Sequence, residues 1–264
     1  MIRIIFSIMC TALFFGCGSD ANDDDDPKDT NAPDASDGTD GTDGTGNTDG
    51  DTEEYPEPDK ICALSFDDGP ENTKTNEVLD KLEFYGVTAS FFVIGQKLSS
   101  STEETVKRAV SLGCDIENHS WSYSDMKSMS AEDIEKSVND TTAAIEEYAG
   151  VSPHFFRPPN LSTSATMYDT IPYPFISGVT GNDWESSATP ESIAKKILDG
   201  VWDGSIILLH DNQSFNPHPT IEALDTIIPG LKKEGYEIVT VKELFERKDV
   251  DPASKESGMW TRVQ

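Results

Sequence analysis

The chain has 264 residues with a formal net charge of −29 at pH 7, and 36% of its residues are hydrophobic. Because nucleic-acid binding depends on basic stripes that neutralise phosphates, this acidity argues against a nucleic-acid partner. A neutral or weakly charged polymer is a compatible partner, whereas a strongly anionic one is less so.

The N-terminal segment 1–17 has the pattern of a bacterial lipoprotein signal peptide. Arg3 precedes an apolar run that ends in Leu13-Phe14-Phe15-Gly16-Cys17, and this run is too short for a permanent membrane-spanning helix. The small residue before Cys17 predicts that Cys17 becomes the lipidated first residue of a secreted protein. We therefore expect a lipid anchor to a bacterial membrane, at the cell envelope or cell surface. An ordinary cleaved signal peptide is the alternative.

Residues 18–60 are predicted to form a disordered acidic tether rich in Thr, Asp and Gly. Four consecutive acids, Asp23 to Asp26, precede an irregular Thr-Asp-Gly repeat between Asp37 and Asp51. With almost no apolar residues, such a segment cannot offset the entropy of ordering, and its like charges extend it.

Between residues 61 and 248, apolar runs alternate with helical periodicity. Strands are predicted near 61–66, 88–94, 114–118, 154–156, 174–178, 205–210 and 237–241, and helices at 74–85, 103–112, 131–148, 190–199 and 219–233. Repeated strand–helix units predict an α/β fold with a parallel sheet covered by helices. Seven such strands predict a distorted, incomplete (β/α) barrel of about seven parallel strands. Residues 249–264 are predicted to form a C-terminal tail.

Local signals refine three of these helices. Ser101 and Glu104 form a capping pattern before the second helix. Thr189 followed by Pro190 predicts the start of another, because proline suits the first helical position. Pro229 is expected to kink or divide the helix at 219–233.

Two cysteines, Cys62 and Cys114, fall within the predicted domain. Both are expected to point from their strands towards the helical layer. Because these strands are not expected to be neighbours, two buried thiols are favoured over a disulfide. Secretion leaves the disulfide open as an alternative.

Polar clusters follow the ends of several predicted strands. They are Ser65-Phe66-Asp67-Asp68-Gly69-Pro70, His119-Ser120-Trp121-Ser122-Tyr123, Arg157-Pro158-Pro159-Asn160, Asn182-Asp183-Trp184 and Leu208-Leu209-His210. The C-terminal strand ends carry the functional residues in barrels of this type. Adjacent carboxylates at such an end can divide two tasks, one binding a cation and the other handling protons.

These five motifs, in this order, resemble those of the NodB-like polysaccharide deacetylases of carbohydrate esterase family four, and the resemblance covers roughly residues 60–248. It implies an enzyme that hydrolyses N- or O-linked acetyl groups on a polysaccharide with a bound divalent cation. By this resemblance Asp68 and His119 are metal ligands, Asp67 is the base and His210 is the acid. Arg157 pairs with Asp67, and Asp183 favours the charged form of His210. Trp184, Leu208 and Asn160 contact the substrate. Zinc, cobalt and nickel are the favoured cations, the partner is an acetylated polysaccharide, and a monomer is expected.

Three positions depart from the family pattern. The second metal-binding histidine of the family is replaced by Tyr123, a poor ligand while its phenol is protonated. Tyr123, Asp125 or a water is therefore the third ligand. Asn160 replaces an aromatic residue, and Thr180 stands where an additional acid is common. These departures leave a second function open, a non-catalytic glycan-binding lipoprotein with an impaired metal site.

Overall fold

A parallel sheet forms the centre of the computed structural model, which describes residues 54–212, 219–255 and 257–264. The predicted signal peptide, Cys17 and the tether up to residue 53 lie outside these residues. The strands are β1 (Lys60–Asp67), β2 (Ser90–Val93), β3 (Asp115–Asn118), β4 (Val179–Thr180), β5 (Ile206–His210) and β6 (Tyr236–Val239). Their order is β3-β2-β1-β5-β4, and β6 also pairs with β1.

The register of β1 aligns the strand ends that carry the predicted motifs. Asp67, the last residue of β1, lies opposite His210 of β5 and Phe92 of β2. Asn118 lies opposite Val93 at the ends of β3 and β2. The C-terminal ends of the parallel strands therefore meet at one edge of the sheet, as the sequence predicts.

Isolated bridges extend the sheet where the sequence predicts two full strands. Phe156 bridges Asn118 and Phe175, while Ile176 bridges Trp260. The predicted strands at 154–156 and 174–178 are therefore reduced to isolated bridges, one at Phe156 and two at Phe175 and Ile176. Flanking prolines explain the reduction, because proline supplies no N–H to a ladder and is confined to strand starts, edges and bulges. The predicted fold class, a parallel α/β sheet consistent with a distorted (β/α) barrel, is confirmed.

The C-terminal residues, which the sequence analysis sets apart as a tail, pack against this sheet. Arg262 forms an antiparallel bridge with Ser205, and Val263 is fully buried. The Val263 N–H donates to the Gly204 carbonyl at 2.8 Å. A Cβ on Gly204 would lie 1.8 Å from the Val263 carbonyl oxygen, so this close approach requires glycine.

Seven α-helices accompany the sheet in the described residues. They are α1 (Asn72–Tyr85), α2 (Glu103–Ser111), α3 (Ala131–Tyr148), α4 (Ala165–Thr170), α5 (Pro190–Gly200), α6 (Pro219–Lys233) and α7 (Val241–Arg247). Thr189 caps α5 as predicted. The predicted cap of α2 is wrong: Thr102 precedes the helix, and its hydroxyl donates to the Lys97 carbonyl at 2.8 Å. Pro229 lies inside α6, which continues through it as one helix.

The two faces of the sheet bury different side chains. Cys62 and Leu64 pack in the larger cluster, beneath the helices. Ala63 and Phe92 face the other way and pack with Phe245 of α7. Because side chains alternate along a strand, Ser65 and Asp67 share this second face.

Cys62 of β1 and Cys114, which directly precedes β3, are buried and free, as favoured by the sequence. Burial raises the pKa of Cys62 to about 12 and that of Cys114 to about 11. Both thiols therefore stay protonated at neutral pH.

Candidate active site

A cavity of about 310 Å³ opens at the C-terminal edge of the sheet. Its walls are formed by Asp67, Asp68, His119, Tyr123, Pro158, Asn160, Leu161, Thr180, Trp184, Leu208 and His210. All the predicted site residues of the folded domain belong to this lining except Arg157 and Asp183, which lie behind it. Side chains from four strand ends thus converge on one cavity.

Arg157 holds Asp67 from behind the cavity wall. Its Nη1 donates to Asp67 Oδ1 at 2.6 Å, and its Nη2 donates to Ser65 Oγ at 2.9 Å and to the Ser177 carbonyl at 3.0 Å. The guanidinium also stacks over the Phe92 ring, 3.9 Å from its centroid. Because Arg157 and Asp67 are both buried, the guanidinium supplies the counter-charge that a buried carboxylate requires.

His119 is oriented by a backbone carbonyl. Its Nδ1 lies 2.6 Å from the Arg157 carbonyl oxygen, an acceptor, so Nδ1 carries the proton and Nε2 keeps its lone pair. Nε2 lies 3.5 Å from Asp68 Oδ1 and 3.7 Å from Asp67 Oδ2. This tautomer is the one that a metal-binding histidine uses when its other nitrogen is engaged.

Asp68 presents an unsatisfied oxygen beside that nitrogen. Its Oδ1 is buried without a hydrogen-bond partner, and its backbone has a φ of 77°, in the left-handed region. Burial opposes ionisation of Asp68, but His119, His210 and Lys97 together hold its pKa below the usual value. A buried, ionised oxygen of this kind requires a proton donor or a cation.

The pair Asp68 and His119 fits a divalent cation. Two ligands about 2.1 Å from one tetrahedral ion lie roughly 3.4 Å apart, close to the 3.5 Å between Asp68 Oδ1 and His119 Nε2. A nitrogen and a carboxylate oxygen suit zinc, cobalt or nickel. Within the described residues no group of three or more His, Cys, Asp or Glu side chains is arranged to hold a metal. Further ligands would therefore come from water or substrate.

His210 and Asp183 form the second charged pair of the site. Asp183 Oδ1 lies 2.9 Å from His210 Nδ1, and Oδ2 accepts from the His210 N–H at 2.8 Å and from Thr220 Oγ1 at 2.7 Å. Burial opposes the charged imidazole, but the hydrogen bond and charge of Asp183, with Asp67 and Asp68, raise the pKa of His210 to about 9. His210 is therefore protonated at neutral pH.

Apolar and polar side chains share the rest of the cavity. Leu208 is buried, while the half-exposed Trp184 ring meets the His210 ring edge-to-face with centroids 5.7 Å apart. Tyr123 is 55% exposed, and its hydroxyl donates to Asn160 Oδ1 at 2.7 Å. Burial raises the pKa of Tyr123, as do the charges of Asp68 and Asp67, so its phenol stays neutral.

Asp125, which the sequence offers as an alternative third metal ligand, and Thr180, which replaces an acid of the family pattern, lie in different places. Asp125 is exposed and accepts from the Lys127 N–H at 3.1 Å, capping a short 3₁₀ turn. It is not part of the cavity lining. Thr180 does line the cavity, and its hydroxyl donates to Asn182 Oδ1 at 2.9 Å.

Sequence reasoning missed Ser65 and Thr220, which hold the charged pairs in place. Ser65 bonds Arg157, and Thr220 bonds Asp183. A polar residue two positions before Asp67 in an apolar strand lies on the same face, so Ser65 had a detectable signal. Thr220 had none, because it belongs to α6 and reaches Asp183 only through the fold.

Comparison with known proteins identifies the family. The polysaccharide deacetylase family model matches residues 54–171. A peptidoglycan-N-acetylglucosamine deacetylase of Bacillus cereus is 34% identical over 203 residues, covering 75% of this chain and 93% of that protein. The chain belongs to the polysaccharide deacetylase family.

Two further relatives act on xylan according to their names. A bifunctional xylanase/deacetylase of Pseudobutyrivibrio xylanivorans is 47% identical over 205 residues, covering 78% of this chain and 33% of that protein. A family 4 acetyl xylan esterase of Clostridium thermocellum, solved with a cobalt ion, is 52% identical with a TM-score of 0.75, covering 77% of this chain and 99% of that chain. The chain spans about a third to two fifths of the length of several curated relatives.

Proposed function

We propose that this protein is a metal-dependent hydrolase that removes acetyl groups from a neutral polysaccharide. One observation carries the proposal: the Asp67–Arg157 and His210–Asp183 pairs flank the Asp68–His119 pair in a single cavity. The site thus combines a proton acceptor, a proton donor and two candidate metal ligands. We also propose secretion and a lipid anchor at Cys17, which rest on the sequence pattern of residues 1–17.

Asp68 and His119 would hold the cation, which lowers the pKa of a bound water and polarises the acetyl carbonyl. Asp67 takes a proton from the attacking water, since its Oδ2 faces His119 while its Oδ1 is held by Arg157. The fixed guanidinium keeps the carboxylate oriented during this transfer. Asp67 is therefore the general base of the proposed mechanism.

His210 donates a proton to the departing amine or alcohol. Its Nδ1 is bound to Asp183, which leaves Nε2 to act on the leaving group. Asp183 holds the ring in one orientation and stabilises its charge. General acids of this type contribute ~10²–10⁴-fold to the rate.

Trp184 and Leu208 provide an apolar wall for the acetyl methyl group. The backbone N–H of Asn160 is a candidate donor to the oxyanion that forms on the acetyl carbonyl. Asn160 has a φ of 56°, a left-handed conformation that asparagine tolerates better than most residues. Its backbone can therefore be presented to the cavity at low cost.

An acetylated xylan-type glycan is the proposed substrate class. The relatives named for xylan are more similar to this chain than those named for peptidoglycan. The net charge of −29 points the same way, because it disfavours association with an anionic polymer.

Chelation provides the main test of this function. The purified protein should lose acetate release from acetylated xylo-oligosaccharides after treatment with a chelator and recover it with zinc, cobalt or nickel. Asp67→Asn should abolish turnover at unchanged thermal stability, because it removes the base while keeping the shape. The surface variant Asp225→Asn, a matched control on α6, should behave as the parent. Full activity in excess chelator would overturn the metal-dependent mechanism.

A non-catalytic glycan-binding protein is the second candidate. The hydroxyl of Tyr123 is engaged by Asn160, and within the described residues no group of three or more His, Cys, Asp or Glu side chains joins Asp68 and His119 around a cation, so few protein ligands are provided there. This function predicts oligosaccharide binding in calorimetry without acetate release at any metal concentration.

A further inference from the structure

Two residues that depart from the family pattern lie in contact with each other. Tyr123 follows β3, and Asn160 lies in the turn after Arg157, yet the Tyr123 hydroxyl donates to Asn160 Oδ1 at 2.7 Å. Both line the cavity. The two substitutions are therefore one structural unit, which we call the Tyr123–Asn160 pair.

This hydrogen bond determines the direction in which the Tyr123 hydroxyl donates its proton. Its proton is donated to Asn160, and its ring is held at the cavity wall with 55% of the residue exposed. Asp68 Oδ1, by contrast, has no hydrogen-bond partner. Tyr123 thus contributes to the wall of the cavity and not to the Asp68–His119 pair.

The same hydrogen bond fixes the orientation of the Asn160 amide. With Oδ1 accepting from Tyr123, the Nδ2 group keeps two N–H donors. Among the described residues none accepts a hydrogen bond from Nδ2. The amide therefore offers unpaired donors to a cavity that Asp67 and Asp68 also line.

We propose that the Tyr123–Asn160 pair is a specificity element that binds the sugar ring carrying the acetyl group. Asn160 Nδ2 donates to a sugar hydroxyl oxygen, and Tyr123 acts as a positioning residue that holds the amide in the productive orientation. A phenylalanine at position 160 would provide no donor, and a tyrosine or tryptophan would provide a single O–H or N–H in place of the amide. The preferred substrate is a neutral sugar with a free hydroxyl near its acetyl group. This inference rests on the proposed function and extends it.

The test uses four variants of the full chain. Tyr123→Phe keeps the ring and removes the hydroxyl. Asn160→Gly removes the amide while tolerating the left-handed backbone, and the double variant combines both. Tyr173→Phe is the matched control, because its hydroxyl also contacts a polar side chain, Thr142 Oγ1 at 3.0 Å, outside the cavity lining.

The first measurement is KM for acetylated xylo-oligosaccharide relative to KM for 4-nitrophenyl acetate, which has no sugar ring. Loss of one orienting hydrogen bond should raise this ratio roughly three- to tenfold in Tyr123→Phe. Asn160→Gly should raise it at least as much, and the double variant should match Asn160→Gly alone, because Tyr123 acts through Asn160. Ratios within twofold of the parent in both single variants, or fully additive effects, would overturn the proposal.

The second measurement is the dissociation constant for cobalt or zinc alone, from equilibrium dialysis of the metal-free protein. Tyr123→Phe should leave it within twofold of the parent, as Tyr173→Phe should. A tenfold weakening would identify Tyr123 as a metal ligand and contradict the proposal. Thermal unfolding of each variant verifies that the comparison is made between folded proteins.

The proposed function and this inference fail in different ways. If the parent releases no acetate at any metal concentration, the proposed function is wrong. The pair is then tested by the oligosaccharide dissociation constant, which the two single variants should still raise. If the parent is active and the variants have the same ratio of KM values for the two substrates as the parent, only the specificity role of the Tyr123–Asn160 pair is wrong.

Discussion

Asp183 and Glu117 are buried carboxylates that each face a histidine, but of these two only Asp183 is fully hydrogen-bonded. At the cavity, Asp183 accepts from the His210 backbone and from Thr220, and its Oδ1 lies 2.9 Å from His210 Nδ1. At β3, Glu117 Oε2 accepts from the backbone N–H groups of His154 and Phe155 at 2.6 and 2.8 Å. Its Oε1 has no partner and lies 3.6 Å from His154 Nδ1, too far for a hydrogen bond.

The two pairs consequently titrate in different ways. Asp183 raises the pKa of His210 to about 9 against the opposing effect of burial. At the other pair, burial dominates and raises the pKa of Glu117 to about 7, although His154 and two backbone N–H groups oppose it. A carboxyl group beside an imidazole thus gives an oriented, charged histidine in one place and a carboxyl that is neutral in mild acid in the other. The number of donors and a difference of 0.7 Å between the two contacts account for this.

His210→Ala should have the largest effect on activity. It removes the protonated imidazole that the Asp183 pair maintains, and we expect kcat for acetate release to fall by ~10²–10⁴-fold. His154→Ala is the matched control, because this half-exposed imidazole lies outside the cavity lining, and the kcat of the variant should equal that of the parent. Equal losses in both variants would remove the functional distinction between the two pairs.

Asp183→Asn should shift the pH profile of the enzyme. His210 donates its proton only while protonated, so activity declines as the pH rises through its pKa of about 9. Without the carboxylate this pKa falls towards 6.5, and the alkaline decline of kcat should move to lower pH by on the order of one to two pH units. Glu117→Gln should leave the profile in place. An unchanged alkaline decline in Asp183→Asn would show that His210 is not the group responsible.

Much of this arrangement could be predicted from sequence, because Asp67 and His210 each follow an apolar run directly and His119 follows the predicted strand near 114–118. A strand end and its polar successor are adjacent in the chain, and parallel pairing brings such ends together. Thr220 and Arg262 had no such signal. They reach Asp183 and Ser205 from remote segments, and only the three-dimensional fold brings them there.

The lack of a hydrogen-bond partner at Glu117 Oε1 could also not be predicted from the sequence. An acid at the end of Asp115–Asn118 looks like any solvated strand residue, yet Glu117 is completely buried. Whether its oxygens find donors depends on the backbone of His154 and Phe155, which adjoins it only because Phe156 bridges Asn118. Donor counts of this kind are set by tertiary geometry and not by residue type.

Glu117→Gln should stabilise the protein at high pH. A folded-state pKa of about 7, above the ordinary glutamate pKa of 4.5, means that the contribution of Glu117 to stability is present below pH 4.5 and is lost as the pH rises through 7. The loss is on the order of 3 kcal/mol at most. Glutamine can still accept from the two backbone N–H groups through its carbonyl oxygen. Urea unfolding at pH 5 and pH 8 should show a gain for the variant at pH 8 only, and a gain of equal size at both would contradict the assigned titration.

His154→Asn should have the smallest effect on the free energy of unfolding. It tests whether Glu117 and His154 form an ion pair. The pKa of His154 is raised chiefly by its contact with Glu117, and this effect requires Glu117 to be ionised. Burial of Glu117, in contrast, favours its neutral form. The 3.6 Å between His154 Nδ1 and Glu117 Oε1 and the 47% exposure of the His154 side chain favour a neutral Glu117. Any ionic contribution of His154 is present below its raised pKa and is lost as the pH rises through it. Exposed ion pairs contribute little, so we expect a loss below about 0.5 kcal/mol at pH 6 and none at pH 8. A loss above about 1.5 kcal/mol at pH 6 in urea unfolding would show that Glu117 and His154 form an ion pair as tight as that of Asp183 and His210.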